Sequence, residues 1–149
     1  MNNRTVLTNS ADETRALGAS LVKALKQTNI IALHGELGSG KTTFVQGLAK
    51  ELGIKKRITS PTFIIVRKYE VRSMNYEGGF ENLYHIDLYR LEDDAQMNNL
   101  GLSEIIEDSG NLVVIEWAEK MGELLSKHRI DVRFEYLDEG KRKISITDC

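Results

Sequence analysis

Gly35-Glu36-Leu37-Gly38-Ser39-Gly40-Lys41-Thr42 lies between the apolar stretch Asn29-Ile30-Ile31-Ala32-Leu33-His34 and a run with apolar residues at 44, 45, 48, 49 and 52. The octet fits G-x-x-x-x-G-K-[ST], the phosphate-binding P-loop, and its surroundings fit as well. Residues 29–34 are short, apolar and rich in isoleucine, which predicts a buried strand. The spacing from Thr43 to Leu52 predicts a helix with Gly53 as its C-terminal cap. The glycines let the backbone wrap tightly and turn successive N–H groups toward one anion. Lys41 supplies a point charge for the β- and γ-phosphates, and Thr42 offers a hydroxyl to Mg²⁺. The positive end of the following helix points at the same phosphates.

Two further stretches carry chemistry. Asn111-Leu112-Val113-Val114-Ile115-Glu116 is four apolar residues followed by an acid. That is the Walker B shape, in which the carboxylate meets Mg²⁺ directly or through water. Glu119 is a second carboxylate nearby, and pairing with Lys120 or with solvent explains it equally well. The spacing after it predicts a helix through Met121, Leu124 and Leu125. In Leu83-Tyr84-His85-Ile86-Asp87 a strand ends on a carboxylate. Ligands of open α/β sheets bind beyond the carboxyl ends of the strands, so Asp87 suits Mg²⁺ or an attacking water. A plain helix N-cap is the competing reading. His85 shares a strand face with Asp87 and is as consistent with a structural histidine as with a functional one.

The remaining segments frame these. Thr5 to Thr8 predict a short edge strand, and Asn9, Ser10 and Asp12 are capping candidates for a helix running to about Gln27. Thr59-Ser60-Pro61-Thr62 reads as a loop entering a strand at Phe63 to Val66; its hydroxyls suit a phosphate or an ordinary turn. Residues 71–81 read as a hairpin or surface loop, and 92–100 as an acidic, helix-opening segment. Leu102 to Glu107 predict a short helix. From Ile130 the pattern alternates, turns at Asp138-Glu139-Gly140 and returns, which predicts an antiparallel hairpin covering one edge of the sheet. Lys55-Lys56-Arg57 and Lys141-Arg142-Lys143 are basic clusters. A solvated turn is the ordinary reading of each, and nucleic-acid contact is the sharper one.

Composition bounds the rest. One domain is the default for 149 residues. Hydrophobic and charged contents of 41% and 28% are ordinary for a soluble globular protein. The net charge of −2 does not mark the whole chain as a nucleic-acid binder. The single Cys149 leaves no disulfide framework, which suits a reducing cytoplasm. No apolar run approaches the roughly 20 residues of a membrane span. Strands alternating with helices predict an α/β fold of the P-loop NTPase type, a three-layer sandwich with a mostly parallel central sheet and a C-terminal antiparallel hairpin. Guanine selection usually needs N-K-x-D, which is missing, so ATP is the default nucleotide. A small-molecule kinase and a non-catalytic, nucleotide-gated binding module are the other readings. The kinase reading lacks a lid helix and clustered arginines.

Gly35 to Thr43, Thr59 to Phe63, Tyr84 to Leu91, Leu100 to Leu102 and Ile115 to Glu119 together resemble the TsaE (YjeE) family of bacterial ATPases. S-P-T-F paired with H-x-D-L-Y-R-L and E-W-x-E is far narrower than the P-loop alone. The resemblance implies a single P-loop ATPase domain over residues 1–149. It implies an accessory role in making threonylcarbamoyladenosine on tRNAs reading ANN codons. It further implies that Glu36, Leu37, Gly38, Ser39, Gly40, Lys41, Thr42 and Thr43 hold the ATP phosphates. Thr42 and Glu116 would be Mg²⁺ ligands, Lys41 and Asp87 catalytic. Thr62 would belong to a switch-like loop and Trp117 would stand beside the metal ligand. Adenine would lie near Ser10, Ala11 and Gly140. The implied partners are TsaD and TsaB, with ATP hydrolysis resetting their complex, tRNA nearby through that complex, and no membrane. Residues 71–81 are longer than the family pattern, and 93–99 depart from it.

Overall fold

The computed structural model describes residues 2–25, 28–36, 38–58, 66–71, 79–91 and 100–148. Seven strands form one mixed sheet: β1 (Asn2–Thr8), β2 (Ile30–His34), β3 (Val66–Glu70), β4 (Asn82–Asp87), β5 (Asn111–Glu116), β6 (Ile130–Asp138) and β7 (Lys141–Asp148). Their order is β1-β7-β6-β2-β5-β4-β3. Among the described residues the helices are α1 (Ala11–Ala24), α2 (Lys41–Glu51) and α3 (Leu102–Glu107), and a 3₁₀ segment spans Ala118–Leu124.

The α/β class is as expected, but the sheet is less parallel than the sequence pattern suggests. Three pairings are parallel (β6–β2, β2–β5, β5–β4) and three antiparallel (β1–β7, β7–β6, β4–β3). The turn at residues 139–140 folds β7 back on β6, and β4 runs antiparallel to β3 from Val66↔Ile86 to Glu70↔Asn82. The hairpin is present, but it does not form the edge. β6 pairs with β2, and β1 covers β7 from Asn2↔Asp148 to Thr8↔Arg142. β1 is the edge strand on that side, longer than Thr5–Thr8.

Alternation along the central strands sorts the core onto the two faces. Ile31 and Leu33 of β2 and Leu112 and Val114 of β5 join Leu17 and Leu21 of α1 and Phe44 and Leu48 of α2. Ile30, Ala32, Val113 and Ile115 join Ile86, Leu102 of α3, and Met121. β5 is buried at every position, as expected of a strand covered on both faces.

Local signals explain the helix ends. Ser10 caps α1: its side chain accepts from the Glu13 amide at 3.1 Å, while the Glu13 carboxylate accepts from the Asn9 amide at 2.9 Å. α1 ends at Ala24, short of the expected Gln27, because Leu25 is already extended. α2 stops in a Schellman motif. Gly53 takes φ +78°, its amide donates to Lys50 O, and the Ile54 amide donates to Ala49 O. The segment after Glu116 is not the continuous helix that its apolar spacing predicts. It is 3₁₀ and is broken at Gly122, which takes φ 54° and ψ −123°.

α1 and α2 cross at two glycines. A methyl group on Gly47 would stand 1.9 Å from Arg15 O, and one on Gly18 would stand 2.2 Å from Phe44 O. Only hydrogen fits at either place, so the two backbones touch. Among the described residues no helix is long and apolar enough to cross a membrane.

Candidate functional site

β2 delivers the 35–42 loop at its C-terminal end, and α2 begins inside it. Gly40 is the helix cap at φ +106°, so Lys41 and Thr42 both lie in the first helical turn. Gly38 also has a positive φ, +77°, and a methyl group there would meet nothing within 4 Å. The Ser39 amide donates to Glu36 O at 3.2 Å. Ser39 is 1% exposed, yet its hydroxyl has no hydrogen-bond partner. A buried hydroxyl without a partner is uncommon.

Lys41 is buried inward. Its Nζ donates to Gly35 O at 2.7 Å, lies 3.9 Å from Glu116 Oε1 and stands 4.9 Å from the centre of the Trp117 ring. Glu116 is 3% exposed. Its other oxygen, Oε2, is 2.6 Å from His85 Nε2. The parallel register of β4 and β5 places Asp87 opposite Glu116. Burial pushes the Asp87 carboxyl above the usual carboxylate value. The charge on Glu116 adds to this, against the opposing pull of the Tyr89 amide, His85 and Lys41. Asp87 Oδ1 accepts from that Tyr89 amide at 2.9 Å, which caps a turn; any helix that the capping reading expects would fall in 92–99, outside the described residues.

Trp117 is the one described non-glycine residue with a positive φ, 61°. That conformation costs an L-residue about 1–2 kcal/mol. It swings the chain off β5 immediately after Glu116 and sets the indole against Tyr89, ring centres 5.0 Å apart. Lys120 fastens the neighbouring turn by donating to Tyr89 O at 2.6 Å and Leu91 O at 3.2 Å. Glu119 pairs with neither Lys120 nor solvent alone: its Oε2 lies 3.5 Å from His34 Nδ1. His34 Nε2 in turn meets Asp131 Oδ1 at 2.9 Å.

The end of the sheet bearing the 35–42 loop also carries the start of α1 and the β6–β7 turn. A methyl group on Gly140 would lie 3.3 Å from Asn9 O, next to Ser10 and Ala11. Arg142 joins this turn to the loop. Its Nε donates to Ser39 O at 3.0 Å and its Nη2 to Gly38 O at 3.3 Å, while the guanidinium lies 4.5 Å from the centre of the Tyr136 ring. So Glu36, Gly38, Ser39, Gly40, Lys41, Thr42, Asp87, Glu116 and Trp117 gather at one end of the sheet. Thr43 follows in the first turn of α2, and Ser10, Ala11 and Gly140 flank them. Leu37, Thr62 and the rest of the 59–65 stretch lie outside the described residues. Arg142 and the His85–Glu116 contact escaped the sequence reading. Arg142 sits in a basic triplet like many surface ones, and His85 gives no spacing signal toward Glu116.

A family model described as "Threonylcarbamoyl adenosine biosynthesis protein TsaE" matches residues 8–144. Among similar curated proteins is a tRNA threonylcarbamoyladenosine biosynthesis protein TsaE of Rickettsia bellii. It is 38% identical over 149 residues, covering 99% of this chain and 96% of the relative. The protein of the same name from Nostoc sp. is 43% identical over 138 residues, covering 91% and 80%. That from Bacillus subtilis is 35% identical over 136 residues, again covering 91% and 80%. The crystal structure of Bacillus subtilis YdiB superposes with a TM-score of 0.77 at 28% identity, covering 99% of this chain and 86% of the other. Matched almost throughout by the family model and by these relatives, the chain belongs to the TsaE family of tRNA threonylcarbamoyladenosine biosynthesis proteins.

Proposed function

We propose that the chain is a Mg²⁺-dependent P-loop ATPase of the three-layer α/β type, folded as one domain over residues 1–149. In this reading it is an accessory subunit in threonylcarbamoyladenosine synthesis, partnered by TsaD and TsaB in the cytoplasm, and its ATP turnover resets that pair. One observation carries the reading: Lys41, Glu116 and Asp87 converge where the 35–42 loop meets the ends of β4 and β5.

The residues fit ATP and Mg²⁺. The orphan Ser39 hydroxyl and the open space at Gly38 suit phosphate oxygens. Glu116 and the Thr42 hydroxyl are hard oxygen donors, too few to cage Mg²⁺ alone, which matches an ion that shares its shell with phosphates and water. When bound, Mg²⁺ neutralises charge on the β- and γ-phosphates. Lys41 leaves Gly35 O to meet the phosphates and offset the charge that develops in the transition state. Asp87 orients the attacking water and draws on its proton as the oxygen adds to the γ-phosphorus and the bond to ADP breaks. A carboxyl held above its ordinary pKa is better matched to that proton than an unperturbed one. Adenine lies toward Ser10, Ala11 and Gly140.

Asp87→Asn tests the reading through nucleotide binding and phosphate release with the partners present. Binding is retained and release falls to background. Undiminished release would remove Asp87 from the chemistry. Absence of release by the unaltered chain with both partners would favour a non-catalytic binding module.

A further inference from the structure

His85 is fully buried, and among the described residues its hydrogen-bonding partner is Glu116. It comes from β4, whose residue opposite it across the pairing is Val114, so the imidazole reaches diagonally to the end of β5. The 2.6 Å contact runs from Nε2 to Oε2, while Nδ1 has no hydrogen-bond partner. A proton on Nδ1 would be a donor stranded in the core, at a cost of about 1–3 kcal/mol. The geometry therefore assigns the proton to Nε2, where it is donated to the carboxylate.

We infer that His85 is a positioning residue that locks Glu116 by Oε2 and so presents Oε1 to the metal side of the site. The inference rests on the reading of Glu116 as a Mg²⁺ ligand and names what aims it. Glu116 needs such a hold because its nearest cation competes for it. Lys41 Nζ already lies 3.9 Å from Oε1. A carboxylate released by His85 would rotate onto Lys41, which would occupy the metal ligand and the phosphate lysine with each other. Partners in the outer shell of a metal ligand commonly act in this way, and losing one weakens metal binding by about 10- to 100-fold. The lone unbonded Nδ1 argues against a role for His85 as a general polar bridge in the core. A histidine kept only for packing would give no reason for so short a contact with this one oxygen.

The test measures the Mg²⁺ concentration needed for half-saturation of nucleotide binding. Trp117, the only tryptophan, reports it by fluorescence. His85→Met keeps the bulk and removes the donor; it raises the Mg²⁺ requirement about 10- to 100-fold. His85→Gln places an amide donor near the position of Nε2 and restores the requirement to within a few-fold. Binding of nucleotide without Mg²⁺ changes little in either variant. An unchanged Mg²⁺ requirement in His85→Met, alongside its loss in Glu116→Ala, overturns the inference and leaves the ligand reading intact. An unchanged requirement in Glu116→Ala overturns the ligand reading itself. A Gln variant as impaired as the Met variant shows that the donor is not what matters. If His85→Met does not fold, long-range ¹H–¹⁵N spectra of the unaltered protein decide. A proton on Nε2 supports the inference, and one on Nδ1 overturns it.

Discussion

Asp87 and Glu116 face each other in register across the parallel pairing of β4 and β5, so two carboxylates of unlike surroundings end neighbouring strands. Glu116 is held by His85 and approached by Lys41, whereas Asp87 is bound at Oδ1 by the Tyr89 amide. In the proposed reading, that asymmetry makes Glu116 the metal-facing acid and Asp87 the water-facing one.

For Asp87 the pH dependence of stability has a definite sign. Burial first, and Glu116 second, raise its folded pKa above the ordinary 3.8. Its contribution to stability is therefore complete below the unfolded value and is lost as pH rises through the folded value. At neutral pH the ionised group is a burden on the fold. Asp87→Asn, which keeps an oxygen for the Tyr89 amide, raises the melting temperature at pH 7. The gain fades toward zero as pH falls below the ordinary carboxylate value. A gain that persists undiminished in acid would contradict this origin.

Asp131 has the opposite sign. Burial alone would raise its pKa, but hydrogen bonds from His34 and Arg129, together with their charges, overcome it and leave the value lowered. Its stabilisation is present above the ordinary value and is lost as pH falls through the folded one. Asp131→Asn destabilises by about 1.5–3 kcal/mol at pH 7, the range for hydrogen bonds to a charged group. Denaturant titrations at pH 7 and in acid check this, with the difference between variant and parent shrinking in acid.

Gly47→Ala sets helix propensity against space. Alanine favours an isolated helix by about 1 kcal/mol over glycine. Here its methyl would overlap Arg15 O, which is backbone and cannot swing aside. The helices have to part, and overpacking of this kind costs about 1–3 kcal/mol or more. Equilibrium unfolding shows a net loss of stability. A neutral or stabilised variant would mean that the α1–α2 seam is looser than its geometry states.

Arg142→Ala frees the carbonyls of Gly38 and Ser39, in the loop that the proposed reading sets against phosphate. At about 1 kcal/mol for the lost hydrogen bonds, the melting temperature falls by a few degrees, and a loop held less firmly before binding lowers nucleotide affinity several-fold. Arg142→Lys does not restore it, because an ammonium cannot span two carbonyls as the guanidinium fork does. Isothermal titration of the three proteins with nucleotide measures the effect.

The sequence made the centre of this site legible and left its supports hidden. Gly35 to Thr42, the β5 run ending at Glu116 and the strand ending at Asp87 are local patterns, each readable within a dozen residues. Their convergence follows from parallel strands that present the same ends. The contacts that escaped are long-range. Arg142 and Ser39 are 103 residues apart, and His85 and Glu116 are 31 apart. Gly18 and Gly47 carry no turn signal because their need is for space between helices, which one-dimensional spacing does not encode. The parallel character of the sheet was overestimated for a similar reason. β1 reads as a strand from its own residues, but its antiparallel pairing with β7 depends on residues at the far end of the chain.

The backbone contact at Gly18 and Gly47 has a mechanical consequence. α2 begins at the phosphate-binding loop, and α1 begins at the Ser10 cap, beside Gly140. Backbone meets backbone at both glycines, and Arg15 Nε donates to Gln46 Oε1 across the same seam, so the helices form a single stiff plate. A tilt of α2 about its glycine loop carries the first turn of α1 with it. In the proposed reading, the two flanks of the nucleotide site that these helices supply keep a fixed gauge, and any widening to admit or release ATP falls to the opposite wall, where β4 and β5 end.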